Sequence, residues 1–311
     1  MSQAPPTFTV SLPMPPTTAP PSSIEPRLPR VAIAVVTLLT FALATHLQEL
    51  LSLTEFYRSW YERYPFYVPE GLKTTLQIAL VLTVTGALYR GGPGGVAAEL
   101  GLTRPVIPAF TVALIATTPL LVGLALTRRV DPKFAPVEVF YTAGYSSFAE
   151  DLVYTGFAVR QLYRRARWPF WLAVLGVAVV FGLGHVEKGS TLGQMAGLFA
   201  FTAVGLALFA WMFTQWGDNL WVPVSLHLLL DLWWAVFAAG DTAVSGGWVP
   251  MALAAASVGV AVALTLRRRQ QGRALSAAVP LQPAEPAVAA DVGPAIVSAR
   301  TEGMAPPAPR R

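Results

Sequence analysis

The chain alternates long apolar runs with short polar joints, and the runs are too long to be strands. Residues 105–127, 189–217 and 242–266 contain no Asp, Glu, Lys or Arg, and 31–45, 74–89 and 169–184 are shorter charge-free runs. A helix needs about 20 apolar residues to cross a hydrocarbon core of about 30 Å, whereas a barrel strand needs about ten. The pattern predicts an all-α fold, a polytopic membrane helix bundle with about eight transmembrane helices. Their approximate spans are 30–48, 72–90, 106–127, 137–160, 169–186, 193–215, 220–239 and 247–266. Gly91, Gly92, Pro93, Gly94 and Gly95 predict a break between the second and third spans. Gly193 and Gly197, four apart, predict a close helix contact at the start of the sixth.

Both ends of the chain lose this pattern. Residues 1–26 are rich in Pro, Ser and Thr without apolar periodicity, and 270–311 are rich in Ala and Pro, so both read as disordered tails. The predicted organisation is a tail over 1–26, N-terminal transmembrane helices over 27–136, polar-bearing helices over 137–239, a last transmembrane helix over 240–269 and a tail over 270–311.

Composition agrees with burial in lipid. Hydrophobic residues make up 54% of the chain and charged ones only 13%, with a mean hydropathy of +0.53, which leaves too little polar surface to clothe a soluble globule of 311 residues. The net charge of +5 does not mark a nucleic-acid partner, because the arginines flank apolar runs instead of forming one basic domain. Arg27, Arg30, Arg90, Arg104, Arg160, Arg164, Arg165, Arg167, Arg267 to Arg269 and Arg273 fall on one set of flanks. They outnumber Arg58, Arg63, Lys73, Arg128, Arg129, Lys133 and Lys188 on the other. The positive-inside bias therefore places both termini in the cytoplasm, with the lipid bilayer as the first partner. Trp168, Trp171, Trp216, Trp221 and Trp248 fall where an interfacial aromatic belt is expected. No cysteine is present, which excludes a disulfide, a thiol nucleophile and a cysteine metal site.

Against this apolar background a few polar residues stand out. Glu150 and Asp151 are adjacent in the fourth span, His185 ends the fifth, and His227 with Asp231 lies in the seventh. Charge at bilayer depth costs roughly 2.5 to 3.5 kcal/mol per residue on insertion scales, so such groups mark functional sites. Adjacent helical residues diverge by about 100°, so one of the two carboxylates can face a site while the other braces it, and Asp151 shares a face with Thr155. His227 and Asp231, one turn apart, project from one face and suit tautomer orientation, metal binding or proton relay, or simply tie helices together. His46, near Glu49, reads as interfacial. A depth mismatch accompanies the set. His185 lies ~24 Å along an ideal helix from Pro169, whereas His227 is only ~10 Å from the start of its span.

The order of a Glu-Asp helix, a Phe-x-x-x-His helix with Phe181 and His185, and a His-x-x-x-Asp helix resembles the CPBP family of CAAX proteases and bacteriocin-processing peptidases. The resemblance covers about residues 137–239. It departs from the family pattern at Asp151, which replaces a second Glu, and at Thr155, which stands where the family has Arg; Arg160 is too far along the helix to substitute. The third motif ends in Asp231, one of the family's two options, which only accepts hydrogen bonds when ionised.

The resemblance implies an intramembrane endopeptidase, in a bacterial plasma membrane, that hydrolyses a peptide bond in a membrane-associated protein or peptide. Glu150 would activate water as general base with Asp151 in support, His185 and His227 would hold the water or the oxyanion, and Asp231 would complete the site. His185, His227 and Asp231 would also suit Zn²⁺ with an open water position, and a metal-free route through the glutamate is the alternative. Two other readings stand beside it. One is a catalytically inactive membrane scaffold or immunity-type protein of the same fold, for which the missing Arg argues; the other is a proton or ion path built from the same residues. No residue pattern sets the oligomeric state.

Overall fold

The computed structural model describes residues 26–240, 242 and 244–278. Among the described residues the chain is helical, with no strand beyond one isolated bridge between Pro26 and Tyr89. Helix α1 (Arg30–Thr45) is followed by two short helices, α2 (Leu47–Ser52) and α3 (Glu55–Arg63), then by α4 (Tyr67–Leu88), α5 (Gly92–Glu99) and α6 (Val106–Thr127). The next stretch, 136–165, runs without interruption through alternating α and π turns and is called α7. It is followed by α8 (Phe170–Leu183), a 3-10 turn (Val186–Lys188), α9 (Leu192–Gln215), α10 (Trp221–Val236) and α11 (Trp248–Ala278).

Five segments are long and apolar enough to cross a membrane: Tyr67–Leu88, Val106–Thr127, Phe170–Lys188, Leu192–Gln215 and Trp248–Gly272; Arg30–Thr45 and Trp221–Val236 are shorter apolar helices. Large apolar side chains point outward along them, among them Ile107, Leu126 and Val204, as expected of a bundle whose outer surface meets acyl chains. Thr37 of α1, Thr85 of α4 and Thr265 of α11, all buried, return their hydroxyls to the carbonyl one turn back, to Ile33 at 2.7 Å, Val81 at 2.7 Å and Ala261 at 2.8 Å.

Helix α7 lies at the centre. Its Leu152, Val153, Phe157, Ala158, Val159 and Leu162 form one buried cluster with Ala34 and Phe41 of α1, Val81 of α4, Val177 and Phe181 of α8, and Leu206 and Phe213 of α9. A second cluster joins α6, α10 and α11 through Ala109, Ala113, Leu226, Leu229 and Ala261. Gly182 permits the α8–α9 contact, since a Cβ there would lie 3.0 Å from the Phe199 carbonyl oxygen.

The arginine-rich end of α7 is fixed by buried ion pairs. Glu99, 2% exposed, pairs with Arg165 and stands near Gln161 and Arg160, while Asp218 receives a two-pronged bond from Arg164 at 2.8 and 3.1 Å. Arg160 also donates to the Glu99 carbonyl, tying down the end of α5. Gly101 completes this joint with φ at +78°, its carbonyl accepting from Leu220 N–H at 3.2 Å. A Cβ on Gly101 would fall 2.5 Å from the Asp218 carbonyl oxygen. Gly101→Ala is therefore expected to cost about 3 kcal/mol from backbone strain and overpacking. A thermal melt in detergent that matches the parent would contradict this.

Several expectations are corrected. The expected break between the second and third spans falls at 89–91, and the rest of the glycine run forms the first turn of α5, with Pro93 at a position where a missing N–H is tolerated. Gly193 faces open space and Gly197 meets only Val244 at 3.8 Å, so the close approach falls at Gly182 instead. Helix α11 continues past Arg269 to Ala278, into the stretch read as a tail; residues 1–25 and 279–311 lie outside the described residues. The indoles of Trp216 and Trp221 donate to Thr265 Oγ1 at 3.0 Å and to the Leu102 carbonyl at 2.9 Å. The mixed-polarity helices α2 and α3 join α4 in a hydroxyl-rich cluster where Tyr57 bonds to Gln48 at 2.9 Å and to the Pro69 carbonyl at 3.2 Å. In that cluster burial, and then the adjacent Glu70, pushes the Tyr61 phenol above its ordinary range.

Candidate active site

The middle of α7 carries the acids, and its backbone there is unusual. Residues Phe140–Ser146 and Asp151–Val159 are wound as π turns on either side of a single α turn, Ser147–Glu150. π turns inside α-helices are uncommon and tend to mark functional sites, because the wider winding re-aims side chains that an even α-helix would place elsewhere. Here they bring Ser147 and Asp151 to the face of α7 that meets α10.

Asp151 is 2% exposed, and its Oδ2 lies 3.3 Å from His227 Nδ1. The other ring nitrogen, Nε2, lies 3.4 Å from Asp231 Oδ2, one turn along α10. His227 is thus held between two carboxylates, with the Phe209 ring 5.4 Å away closing one side. Ser147 Oγ donates to Asp231 Oδ2 at 3.1 Å. Exposure rises along the chain of groups, from 2% for the Asp151 side chain to 18% for His227 and 47% for Asp231. One end of the array is therefore sealed in the core and the other is open. A carboxylate–imidazole–carboxylate array of this kind can take up a proton and hand it along.

Glu150 stands beside this array without joining it. It is partly exposed, accepts a hydrogen bond from Ser146 Oγ at 3.4 Å, and lies within electrostatic range of Asp151, His227 and Asp231. The division of roles between the adjacent carboxylates is clear, but its partner differs from the expectation: Asp151 braces His227, not Glu150.

His185 is set apart. Its Nδ1 bonds to the Phe181 carbonyl at 2.8 Å, and no hydrogen bond or ion pair joins it to Glu150, Asp151, His227 or Asp231 among the described residues. Because a carbonyl only accepts, Nδ1 carries the proton and Nε2 is left free. The Phe181 ring packs on His185 at 4.5 Å and on Tyr154, one turn beyond Glu150, at 4.7 Å. Lys188, in the same turn as His185, exerts its charge on Asp231. Helix α8 ends at Leu183 and leaves His185 in the turn beyond it, while His227 pairs with Asp151.

The metal set expected from sequence does not fit this geometry. Both nitrogens of His227 are directed at carboxylates, and among the described residues no group of three His, Cys, Asp or Glu side chains is arranged to hold a metal ion. His185, His227 and Asp231 do not converge as one donor set, so no step is derived through a metal.

Residues 132–233 match the family of type II CAAX prenyl endopeptidases, Rce1-like. That segment takes in all five candidate residues, from Glu150 to Asp231, and the whole of α7 through most of α10. Over that segment the chain is similar to CAAX prenyl endopeptidases. No curated protein and no solved structure matches the chain. Within the CAAX-protease segment, Ser147 escaped the sequence reading; a small hydroxyl one turn before paired acids is the signal that marks it.

The position that departs from the family pattern also has a physical signature. Thr155 is fully buried, and its hydroxyl has no hydrogen-bond partner among the described residues. An unpaired buried hydroxyl costs about 1–3 kcal/mol. Thr155→Val, which keeps the shape and removes the orphan group, is expected to leave stability unchanged or raise it by about 1 kcal/mol. A loss of that size in a detergent melt would mean that the hydroxyl is paired.

Proposed function

We propose that the chain is an intramembrane endopeptidase that hydrolyses a peptide bond in a membrane-associated protein or peptide, with Glu150 activating water. The observation that carries this reading is His227 held between Asp151 and Asp231 at 3.3 and 3.4 Å, with Glu150 in electrostatic range, inside the CAAX-protease segment. Glu150 takes a proton from water as the oxygen bonds to the carbonyl carbon. The tetrahedral oxyanion then collapses, the C–N bond breaks, and the proton passes from Glu150 to the departing nitrogen. The Asp151–His227–Asp231 array orients the imidazole and offers a path for a proton, and Ser147 fixes the open carboxylate. His185, with Nε2 free, would hold the water.

The test is cleavage of a library of membrane-anchored peptides by purified protein in liposomes, wild type against Glu150→Gln, read by mass spectrometry. Cleavage by the wild type alone supports the reading; equal cleavage, or none by either, refutes it.

One alternative is favoured by a specific observation. A catalytically inactive scaffold of the same fold accounts for the orphan Thr155 hydroxyl where the family carries a guanidinium, and for His185 standing off from the array. It predicts a biological effect that is the same for wild type and Glu150→Gln.

A further inference from the structure

At the end of the bundle opposite the buried arginine pairs, a cavity of about 250 Å³ opens between the start of α7 and the end of α10. Its walls include Asp131, Lys133, Glu138, Thr142, Trp234 and Ala235. Two links connect its floor to the site. Ala235 is one helical turn beyond Asp231 on α10, and the Thr142 carbonyl accepts from the Ser147 hydroxyl, at 3.2 Å, that also contacts Asp231. Asp231 is the open end of the array, so the cavity lies just outside the reacting groups.

We infer that this cavity is a substrate subsite that receives a cationic side chain, lysine or arginine, of the peptide on the outward side of the scissile bond. The volume, near the lower limit for ligand pockets, suits one long side chain. Its walls hold two carboxylates, Asp131 and Glu138, against one ammonium, Lys133, and none of the three is in an ion pair among the described residues. Asp131 uses Oδ1 to accept from Lys133 N–H at 2.8 Å, which leaves its second oxygen for a ligand. Of the two further cations nearby along the chain, Arg128 is committed to the Ala238 and Gly246 carbonyls at 2.8 and 3.1 Å, and Arg129 is exposed and stands outside the cavity lining. The Trp234 indole is anchored to the Gly240 carbonyl at 2.9 Å, giving the cavity a fixed aromatic side on which an alkyl stem or guanidinium can lie.

The inference rests on the hydrolase reading for its orientation, and its test separates the two. Membrane-anchored peptides identical except for Lys, norleucine or Glu at the residue nearest the cleavage point are bound to full-length Glu150→Gln protein in nanodiscs, and affinity is read by fluorescence anisotropy. The lysine peptide is expected to bind about tenfold tighter than the norleucine one, the scale of one charge-assisted hydrogen bond. The preference should vanish in the Asp131→Asn, Glu138→Gln double variant, whose amides keep the acceptor that caps Lys133. Equal binding of the three peptides, or a lysine preference that survives the double substitution, overturns the subsite. Cleavage by the wild type without charge preference would sink the subsite and leave the hydrolase intact. A charge preference without any wild-type cleavage would uphold the subsite and sink the hydrolase.

Discussion

Glu150→Gln is expected to lower the rate of peptide cleavage by about 10²- to 10⁴-fold, the range for losing a general base, while leaving the fold in place. Glutamine keeps the size of the side chain and an oxygen that accepts from Ser146, but it cannot take a proton from water. Glu150 makes one long hydrogen bond at 3.4 Å and is only partly buried, so packing gives it little part in stability. The expected signature is a fall in kcat with a melting temperature close to that of the parent. Unchanged kcat would remove Glu150 from the chemistry. A collapsed melting temperature would mean that the carboxylate holds the helices together.

His227→Ala is expected to have the largest effect on stability and to abolish cleavage as well. Asp151 is sealed in the core, and His227 is its one side-chain partner among the described residues. Removing one member of a buried charge pair costs about 3–5 kcal/mol, because the other is left uncompensated. The loss should shrink when Asp151→Asn is made first, since a buried amide is less costly to strand than a carboxylate. A double-mutant cycle on detergent melts measures this coupling. Additive losses would mean that the 3.3 Å contact does not join the two groups energetically.

The bundle was legible because charge is excluded from lipid: the charge-free runs 105–127 and 189–217 became α6 and α9 with little shift at either end. The pairing of His227 with Asp231 was legible for a similar reason, since a spacing of four on a helix fixes a common face. The link from His227 to Asp151 was not. It depends on helix α7 being wound with π turns, which re-aim the acids in a way that no apolar period records. Ser147 was missed although it stands one turn before the paired acids, because a serine carries no charge to stand out against an apolar run. The Glu99 and Asp218 ion pairs join residues more than fifty positions apart, so no local pattern reports them. Helices α2 and α3 were missed because a segment such as EFYRSWYER is short and polar by composition, and it is placed by hydroxyl bonds to α4 instead of by an apolar face. His185 was grouped with the other polar residues by its motif alone, and the structure leaves it at the mouth of α8.

The central claim is that the chain adds water across a peptide bond at Glu150. The most direct measurement is mass spectrometry of products formed by purified wild-type protein from membrane-anchored peptides in ¹⁸O-labelled water, with Glu150→Gln in parallel. The account predicts one ¹⁸O atom in each new C-terminal carboxylate, with about 10²- to 10⁴-fold less labelled product from the variant. Unlabelled products, or equal amounts of labelled product from both proteins, would contradict it.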